Sequence, residues 1–342
     1  MTKLLSTPKF KLKFYLTIIF LIILNFFLFL VSVSIGRYKI PISLIFKVVI
    51  GKILNLNLNV DPNLNIVIFN IRLPRIIFAM LVGSVLSQSG VSFQGLFNNP
   101  LVSPYILGIS GGAGFGAAIG ILFFNNFLYV SFFSFIFSII SVMLTILVSK
   151  FSRSTSSVNL VLSGFIIGSF FTSLLSLLKY YADPFVKLPS IVFWLMGSFN
   201  SVTNSELFTS LPIFIIGIAL LMLLRWKLNI LSLGDEEAIT LGENPKIIRM
   251  MIILICSLLT AISVSFCGII GWVGLAVPHI ARLIIGPDYR FLLPVSALLG
   301  SLYLLSIDNI SRTLTTSEIP IGILTSIIGA PIFIYVLRRA SK

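Results

Sequence analysis

Few side chains in this sequence could take part in acid–base, nucleophilic or metal chemistry. The 342 residues include one histidine, two cysteines and ten acidic residues. His279 stands alone in an apolar stretch, where we expect a structural hydrogen bond rather than metal ligation. Cys256 and Cys267 lie in or at the edge of an apolar run, so neither a disulfide framework nor a metal site is expected from them. The sequence therefore predicts no catalytic residue and no metal site.

The densest group of ionisable side chains is acidic and lies in the segment 228–246. Its members are Asp235, Glu236, Glu237 and Glu243. Acidic residues are favourable in the first turn of a helix because they face the positive end of its dipole. Gly242 is placed to end such a helix, and Asn244 with Pro245 to begin the next one. This pattern predicts a short helix at about 235–241, held crosswise between two longer helices, that docks a partner.

The elements that carry these residues must cross a membrane. The chain is 57% hydrophobic and 10% charged, with a mean hydropathy of +1.11, which excludes a soluble globular domain. A hydrocarbon core of about 30 Å requires apolar helices of about 20 residues. Such runs lie near 14–35, 74–96, 104–124, 127–149, 158–180, 206–225, 247–267, 272–286, 291–308 and 319–337. We predict an all-α polytopic membrane protein of about ten transmembrane helices, forming a single domain over 1–342 with a short N-terminal tail, 1–13.

The basic residues indicate topology rather than nucleic-acid binding. The formal net charge is +14, but no segment interleaves basic and aromatic residues as a nucleic-acid groove would. With a cytoplasmic N-terminus, 15 of the 24 basic residues lie on the inner side, as the positive-inside rule favours. The first apolar run is longer than the core of a signal peptide and no small-residue cleavage site follows it, so we interpret it as a retained span. Both termini are expected in the cytoplasm.

The second and third spans meet at a polar, proline-containing turn, and the third span has a glycine every four residues. Gly108, Gly112, Gly116 and Gly120 therefore share one helix face. Each glycine inside a helix costs about 1 kcal/mol relative to alanine, so close packing of another helix is the expected reason for them. The "GAGFG" within this stretch follows no strand, so it is not a dinucleotide-binding fingerprint, and the chain contains no P-loop motif.

Two further segments are unusual for membrane spans. "RLPR" places Arg72 and Arg75 around Pro74 and is expected to open the second span, with both arginines at the interface, since an arginine at mid-bilayer costs about 2.5–3.5 kcal/mol. From the residues alone, ordinary snorkelling explains them. In 267–282, glycines and a proline predict irregular backbone that is buried in protein or lines a cavity. Near the end of the chain, Asp308 and Arg312 are four residues apart, a spacing that predicts an ion pair on one helix face.

Several of these motifs resemble a known family over nearly the whole chain. They are "RLPR" at 72–75, "NPLVSPYILGISGGAG" at 99–114, "WLMGSF" at 194–199, "LGDEEAITLGENP" at 233–245, "GIIGWVGLAVPHIARLIIGPDYRFLLP" at 268–294 and "DNISRTLTTSEIPIGILTSIIGAPIFIYVL" at 308–337. Together, in this order and at this spacing, they resemble the FecCD family of ABC permeases, which import iron-siderophore chelates, haem and cobalamin.

The resemblance implies roles for named residues. Arg72, Arg75 and Arg312 would receive acidic residues of an extracytoplasmic binding protein, which replaces the snorkelling interpretation. The ATPase coupling loop would comprise Gly234, Asp235, Glu236, Glu237, Ala238, Leu241 and Gly242. The inner gate of the translocation path would comprise Asn99, Pro100, Leu101, Ser154, Thr155 and Ser156.

The resemblance also implies the assembly and the cargo. The chain would pair with a second permease subunit, a second copy or a related chain, in the cytoplasmic (inner) membrane of a prokaryote. Two cytoplasmic ABC ATPases would use ATP and Mg²⁺, while this chain would bind no cofactor and no nucleic acid and would be no enzyme. The expected cargo is an iron(III) chelate, siderophore or haem, moved by alternating access, with cobalamin as the alternative.

An ion-coupled secondary transporter is a more distant alternative. It would need ionisable residues within the spans, and few acidic residues here lie away from span ends. An intramembrane enzyme is disfavoured by the single histidine and by the absence of paired acidic or cysteine nucleophile motifs.

Overall fold

The described residues of the chain form helices and contain no strand. The computed structural model describes residues 8–36, 40–54, 61–124, 126–151 and 157–340. The labelled helices are α1 (Pro8–Ser34), α2 (Ile42–Ile53), α3 (Leu73–Leu96), α4 (Ile109–Phe123), α5 (Phe127–Ser149), α6 (Ser157–Tyr181), α7 (Lys187–Leu195), α8 (Asn204–Leu231), α9 (Asp235–Thr240), α10 (Pro245–Cys267), α11 (Val273–Ile285), α12 (Tyr289–Thr313) and α13 (Ile321–Ala340).

Each of the ten predicted spans coincides with one of these helices. Seven helical stretches of 23 to 34 residues are long and apolar enough to cross a membrane, and α4, α11 and α13 are shorter apolar helices. The predicted all-helical, polytopic fold is thereby confirmed. α1 begins at Pro8, inside the predicted N-terminal tail, because the basic residues there are good helix formers and carry the helix past the bilayer.

The second span begins earlier than the sequence indicates. A helical turn at Pro62–Asn65 and a π-helical segment at Ile66–Arg72 lead into α3 without a break. Asp61 caps this start by accepting the Asn63 N–H at 2.9 Å. The prediction that "RLPR" opens the span is therefore wrong. Pro74 lies inside a continuous helix, where it cannot donate to the preceding turn, and the wider π-helical turn before it accommodates that loss.

α3 is the centre of the bundle. All residues from Val85 to Phe97 are buried, as expected of a helix surrounded by others. α3 crosses α12 where Gly83 meets Gly300, and a Cβ at either glycine would overlap the other's carbonyl oxygen. α1 and α6, by contrast, expose most of their apolar surface, so they form the periphery of the single chain.

Two non-helical segments lie inside the bundle, between α3 and α4 and between α10 and α11. Hydroxyl groups of α5 donate hydrogen bonds to backbone carbonyl groups of the first segment. Ser141 donates to the Gly108 carbonyl at 2.8 Å, and Thr145 donates to the Leu107 carbonyl at 3.0 Å. Tyr105 links the two segments by donating to the Ile270 carbonyl at 2.7 Å. These three hydrogen bonds give the carbonyl groups of Gly108, Leu107 and Ile270 partners within the protein, as non-helical backbone in a membrane protein requires.

The irregular backbone between α10 and α11 is shorter than predicted. It covers 268–272, with Gly268 and Trp272 at positive φ angles of 70° and 68°. Gly274 and Pro278 were expected to extend the irregularity, but both lie inside α11. Gly274 instead permits a close crossing, because a Cβ there would come 2.7 Å from the Leu86 carbonyl oxygen of α3 and would overlap the Pro104 ring.

Candidate functional site

A network of buried charges lies at one end of the bundle, here called the arginine end. Asp308 of α12 is fully buried and accepts from Arg75 at 2.9 and 2.8 Å. Its second oxygen lies 3.0 Å from Nε of Arg312, one helical turn away. Arg75 also pairs with Glu318 at 2.8 Å and donates to the Asn200 side chain at 2.7 Å. Two arginines and two carboxylates therefore neutralise one another.

Arg72 and Arg312 hold the end of α1. Arg72 donates to the Val33 carbonyl, and to the Ser34 carbonyl at 3.3 Å. Arg312 donates to the carbonyls of Ser32 and Ile35, both at 3.3 Å. Helix ends leave carbonyl groups without partners in the helix, and these guanidinium groups supply donors for them.

The three predicted docking arginines are thus brought together, but beneath the surface. Arg72, Arg75 and Arg312 are 5%, 6% and 6% exposed, although the sequence places them at an interface with water. The ion pair between Asp308 and Arg312 is confirmed. Sequence reasoning missed Glu318 as a partner of Arg75, because only the folded chain brings the loop after α12 over α3.

A cavity of about 1060 Å³ opens beside this network. Its walls are the segment after α1, including Gly36 and Pro41, and the segment from Arg312 to Thr316. Arg312 contributes the positive charge among the described lining residues. An acidic group that enters from outside would therefore meet a guanidinium group at its wall.

The acidic segment lies at the opposite end, here called the coupling end. The predicted short helix is confirmed as α9, and Gly242 follows it with a φ of +80°. Asn244 caps α10 by accepting from the backbone of Lys246 and Ile247. Asp235 forms two hydrogen bonds with Arg249, at 2.7 and 3.0 Å. α9 is therefore fixed to the start of α10.

The surface formed by α9 and the residues that flank it is both apolar and acidic. Leu233, Ile239 and Leu241 are 61%, 62% and 59% exposed, while Glu236 and Glu237 are exposed beside them. Because most of their surface is exposed within the single chain, burial of these apolar side chains contributes little to its stability. Ala238 alone faces inward and is fully buried. This face has the composition of a small docking surface.

Asp288 joins α8 to α12 at the same end. It accepts from Asn229 at 2.8 Å and from the Arg290 backbone at 3.0 Å, and it pairs with the Arg290 guanidinium at 2.5 Å. Burial acts to raise the pKa of Asp288, but the hydrogen bonds from Arg290 and Asn229 outweigh it and hold the pKa below its usual value. The carboxylate is therefore ionised at neutral pH.

A groove of about 720 Å³ runs along the exposed side of α6. Its lining contains no charged residue but has several hydroxyl groups. The lining residues with hydroxyl groups are Ser103, Tyr105, Ser110, Ser169, Thr172 and Ser173. Gly108, Gly111, Gly164 and Gly168 form the floor, where a Cβ at Gly111 would come 2.6 Å from the Gly168 carbonyl oxygen. The small residues create the room, and the hydroxyl groups make it polar.

The predicted gate segment at Asn99, Pro100 and Leu101 is an exposed turn just before this groove. The Asn99 side chain accepts the Leu101 N–H at 2.9 Å, which fixes the turn locally. The other predicted gate residues, Ser154, Thr155 and Ser156, lie outside the described residues.

The predicted glycine face lies against α5. A Cβ at Gly112, Gly116 or Gly120 would overlap the backbone of α5. Gly108 lies just before α4 rather than in it, and its φ of +79° is a conformation that favours glycine. In the structure, therefore, three of the four glycines share a helix face and the fourth forms the entry to that helix.

His279 and the two cysteines take no part in these sites. His279 Nδ1 lies 2.9 Å from the Leu275 carbonyl oxygen and its ring packs edge-on against Phe333. Cys256 and Cys267 are buried and free. Among the described residues, no group of three or more histidine, cysteine, aspartate or glutamate side chains could hold a metal ion.

Comparison with known proteins accounts for nearly the whole chain. The sequence profile of the FecCD transport family matches residues 21–339. The molybdate import system permease protein MolB of Haemophilus influenzae is 42% identical over 90% of this chain and 92% of its own length. A probable iron chelatin transport system permease protein of Helicobacter pylori is 39% identical over 81% of this chain and 84% of its own.

A solved structure also matches closely. It is described as an inward-facing conformation of a metal-chelate type ABC transporter and is 38% identical to this chain. The match covers 94% of this chain and 98% of the other, with a TM-score of 0.84.

Proposed function

The chain belongs to the FecCD transport family, whose members are the non-enzymatic permease subunits of ABC importers, and from that premise we propose that it carries an iron(III) chelate. The single observation that supports this cargo most directly is the uncharged, hydroxyl-lined groove beside α6. A bare ferric ion needs several charged or strongly coordinating ligands. A chelate brings those ligands with it and needs only a polar, roomy path.

We propose that the groove becomes the translocation path when a second permease subunit covers α6. The face of α6 toward the groove is exposed along its length, from Leu162 through Ser169 and Ser173 to Tyr180, positions that recur at helical spacing. The inner part of this α6 face is apolar and its outer part carries hydroxyl groups. Such a face suits an interface that is closed at its inner end and filled with water along the rest. The turn at Asn99–Leu101 would narrow the closed end.

Permeases of this kind work with ATPase and binding-protein partners. We propose that α9 docks on a cytoplasmic ATPase through its exposed apolar side chains, with Glu236 and Glu237 meeting basic groups. Since Asp235 and Arg249 tie α9 to α10, a displacement of α9 would be transmitted to that span. Alternating access would follow from nucleotide binding and hydrolysis in the partner, with both termini of this chain in the cytoplasm.

We propose that a substrate-binding protein docks at the arginine end. Its acidic residues would enter the cavity walled by Arg312 and would compete with Glu318 for Arg75. Glu318 is the most exposed carboxylate of the network, at 20% of its side-chain surface, against 0% for Asp308. Exposed ion pairs contribute about 0–1 kcal/mol each, so several such contacts would be needed for a reversible complex.

Molybdate is a second candidate cargo, because the molybdate permease MolB is 42% identical to this chain. An oxyanion could also pass a hydroxyl-lined groove that has no fixed negative charge. Cobalamin is a third candidate within the same family.

The test is uptake into proteoliposomes that contain this chain together with its ATPase and binding-protein partners. Radiolabelled ferric siderophore, haem, molybdate and cobalamin would each be offered with and without ATP. We expect ATP-dependent uptake of an iron chelate that persists when ion gradients are collapsed. Uptake of molybdate or cobalamin alone would refute the proposed iron-chelate cargo but would agree with the proposed importer function. Uptake that stops when the gradients are collapsed would favour a secondary transporter.

A further inference from the structure

A second groove, of about 610 Å³, lies on the membrane-facing side of α1, away from the proposed translocation path. Its walls are apolar along almost their whole length. The apolar lining residues are Leu12, Leu16, Phe20, Leu21, Leu24, Ile284, Leu299 and Leu302. α1 supplies one wall, and the C-terminal end of α11 and the middle of α12 supply the other.

Two cations close this groove at the coupling end. Lys9 and Lys13 both line it, are exposed and stand one helical turn apart on the same face of α1. No ion pair involving either lysine occurs among the described residues. Lys11 points about 160° away from Lys13 around the same helix. The charges of Lys9 and Lys13 therefore lie on the groove side of α1, whereas that of Lys11 lies on the other side.

The contact between α1 and α12 leaves this groove open. α1 packs on α12 through a different stripe, in which Phe10 and Phe14 meet the ring of Phe291 at 5.1 and 4.9 Å. Farther along, Asn25 donates to the Leu298 carbonyl at 3.1 Å. Leu16 and Phe20, on the groove side, remain 57% and 62% exposed.

The length of the groove matches one leaflet of a bilayer. From Lys13 to Leu24 the helix rises about 16 Å. Half of a hydrocarbon core of about 30 Å is about 15 Å. An acyl chain that lies along the groove would thus place its headgroup beside Lys13 and Lys9, at the level where a phosphate is found.

We propose that this groove is a binding site for an anionic phospholipid of the leaflet on the coupling side. The apolar walls hold an acyl chain, and the two lysines hold the phosphate and the negative headgroup. Charge complementarity distinguishes this site from the rest of the lipid-facing surface, because basic pockets between membrane helices on the cytoplasmic side select anionic headgroups.

The test measures lipid adducts on the purified full-length chain by native mass spectrometry. The probes are phosphatidylglycerol and phosphatidylcholine with identical acyl chains. Each lysine near the headgroup is expected to contribute about fivefold to affinity. Lys9→Gln with Lys13→Gln should therefore raise the Kd for phosphatidylglycerol more than tenfold and leave that for phosphatidylcholine unchanged. Added salt should reduce the preference, because it screens the exposed lysines.

Lys11→Gln is the matched control, since it removes the same charge from the same helix but outside the groove. Its Kd for phosphatidylglycerol should equal that of the parent chain. An equal loss in Lys11→Gln and in the double variant would overturn the proposal, because the preference would then reflect general charge. No loss in the double variant would also overturn it.

A third arm tests the apolar walls with both lysines in place. Leu16→Trp fills the groove and should abolish one tightly bound phosphatidylglycerol per chain. Ile22→Trp adds the same ring on the other side of α1, where Ile22 is 52% exposed, and should abolish none. If both variants bind lipid like the parent chain, the acyl chain does not lie in this groove.

Discussion

Replacement of Asp308 by asparagine should be the most damaging single charge change in the arginine end. The variant keeps the volume and one acceptor oxygen but removes the negative charge that Arg75 and Arg312 share. Because Asp308 is fully buried and both arginines are about 6% exposed, water can replace only a small part of the lost interaction.

Breaking a buried ion pair by removing one partner costs about 3–5 kcal/mol, because an uncompensated charge is left behind. Glu318 still faces Arg75 at 2.8 Å, so we expect the lower part of this range, about 3 kcal/mol. A change of 1 kcal/mol moves the Tm of a large domain by about 2 °C. Asp308→Asn should therefore lower the Tm by about 6 °C.

The assay is thermal unfolding of the detergent-solubilised chain, followed by tryptophan fluorescence. Glu236→Gln, an exposed site in α9, is the control and should change the free energy of unfolding by less than about 0.5 kcal/mol. Glu318→Gln should fall between the two, since Glu318 is partly exposed. If Asp308→Asn unfolds at the same temperature as Glu236→Gln, the network does not stabilise the fold and the reasoning is wrong.

Four other results are expected. Glu237→Lys should weaken association with the partner ATPase without changing the Tm, as measured by co-purification; an intact complex would remove α9 from the docking surface. Glu318→Gln should remove one partner of Arg75 and lower the Kd of the binding protein by up to about fivefold, which corresponds to one exposed ion pair. An unchanged Kd would exclude docking through Arg75. Gly116→Val should lower the free energy of unfolding by about 3 kcal/mol or more, because its Cβ would overlap α5, and a parent-like Tm would contradict this contact. Asp288 has a lowered pKa, so its stabilisation is present above its ordinary pKa and is lost as the pH falls through the lowered value; Asp288→Asn should remove this acid sensitivity from unfolding curves measured between pH 7 and 3.

The sequence predicts the spans and α9 because both depend on local patterns. Apolar runs set the spans, and the glycine at 242 with the asparagine at 244 sets the ends of the short helix between them. These determinants act over a few residues, so neighbouring positions in the sequence are sufficient to detect them.

Partners that are distant in the sequence cannot be predicted from such local patterns. Glu318 and Asn200 reach Arg75 across 243 and 125 positions in the chain, and no spacing rule connects them. The early start of the second span was missed for a different reason. Pro74 suits a first helical turn equally well, and only the π-helical turn before it shows that the helix continues through.

The hydroxyl groups of α6 have a consequence for how long a cargo would stay in the groove. Thr172, Ser173 and Ser176 each donate to the carbonyl oxygen four residues earlier, at 2.8, 3.0 and 3.0 Å. Thr172 and Ser173 line the groove, and because their hydrogens are already committed to the helix, a cargo beside them would meet acceptor oxygens. Such a surface solvates a cargo but binds it weakly. The dwell time of a cargo at these two positions would therefore be short, and the direction of transport would have to come from which end of the groove is open.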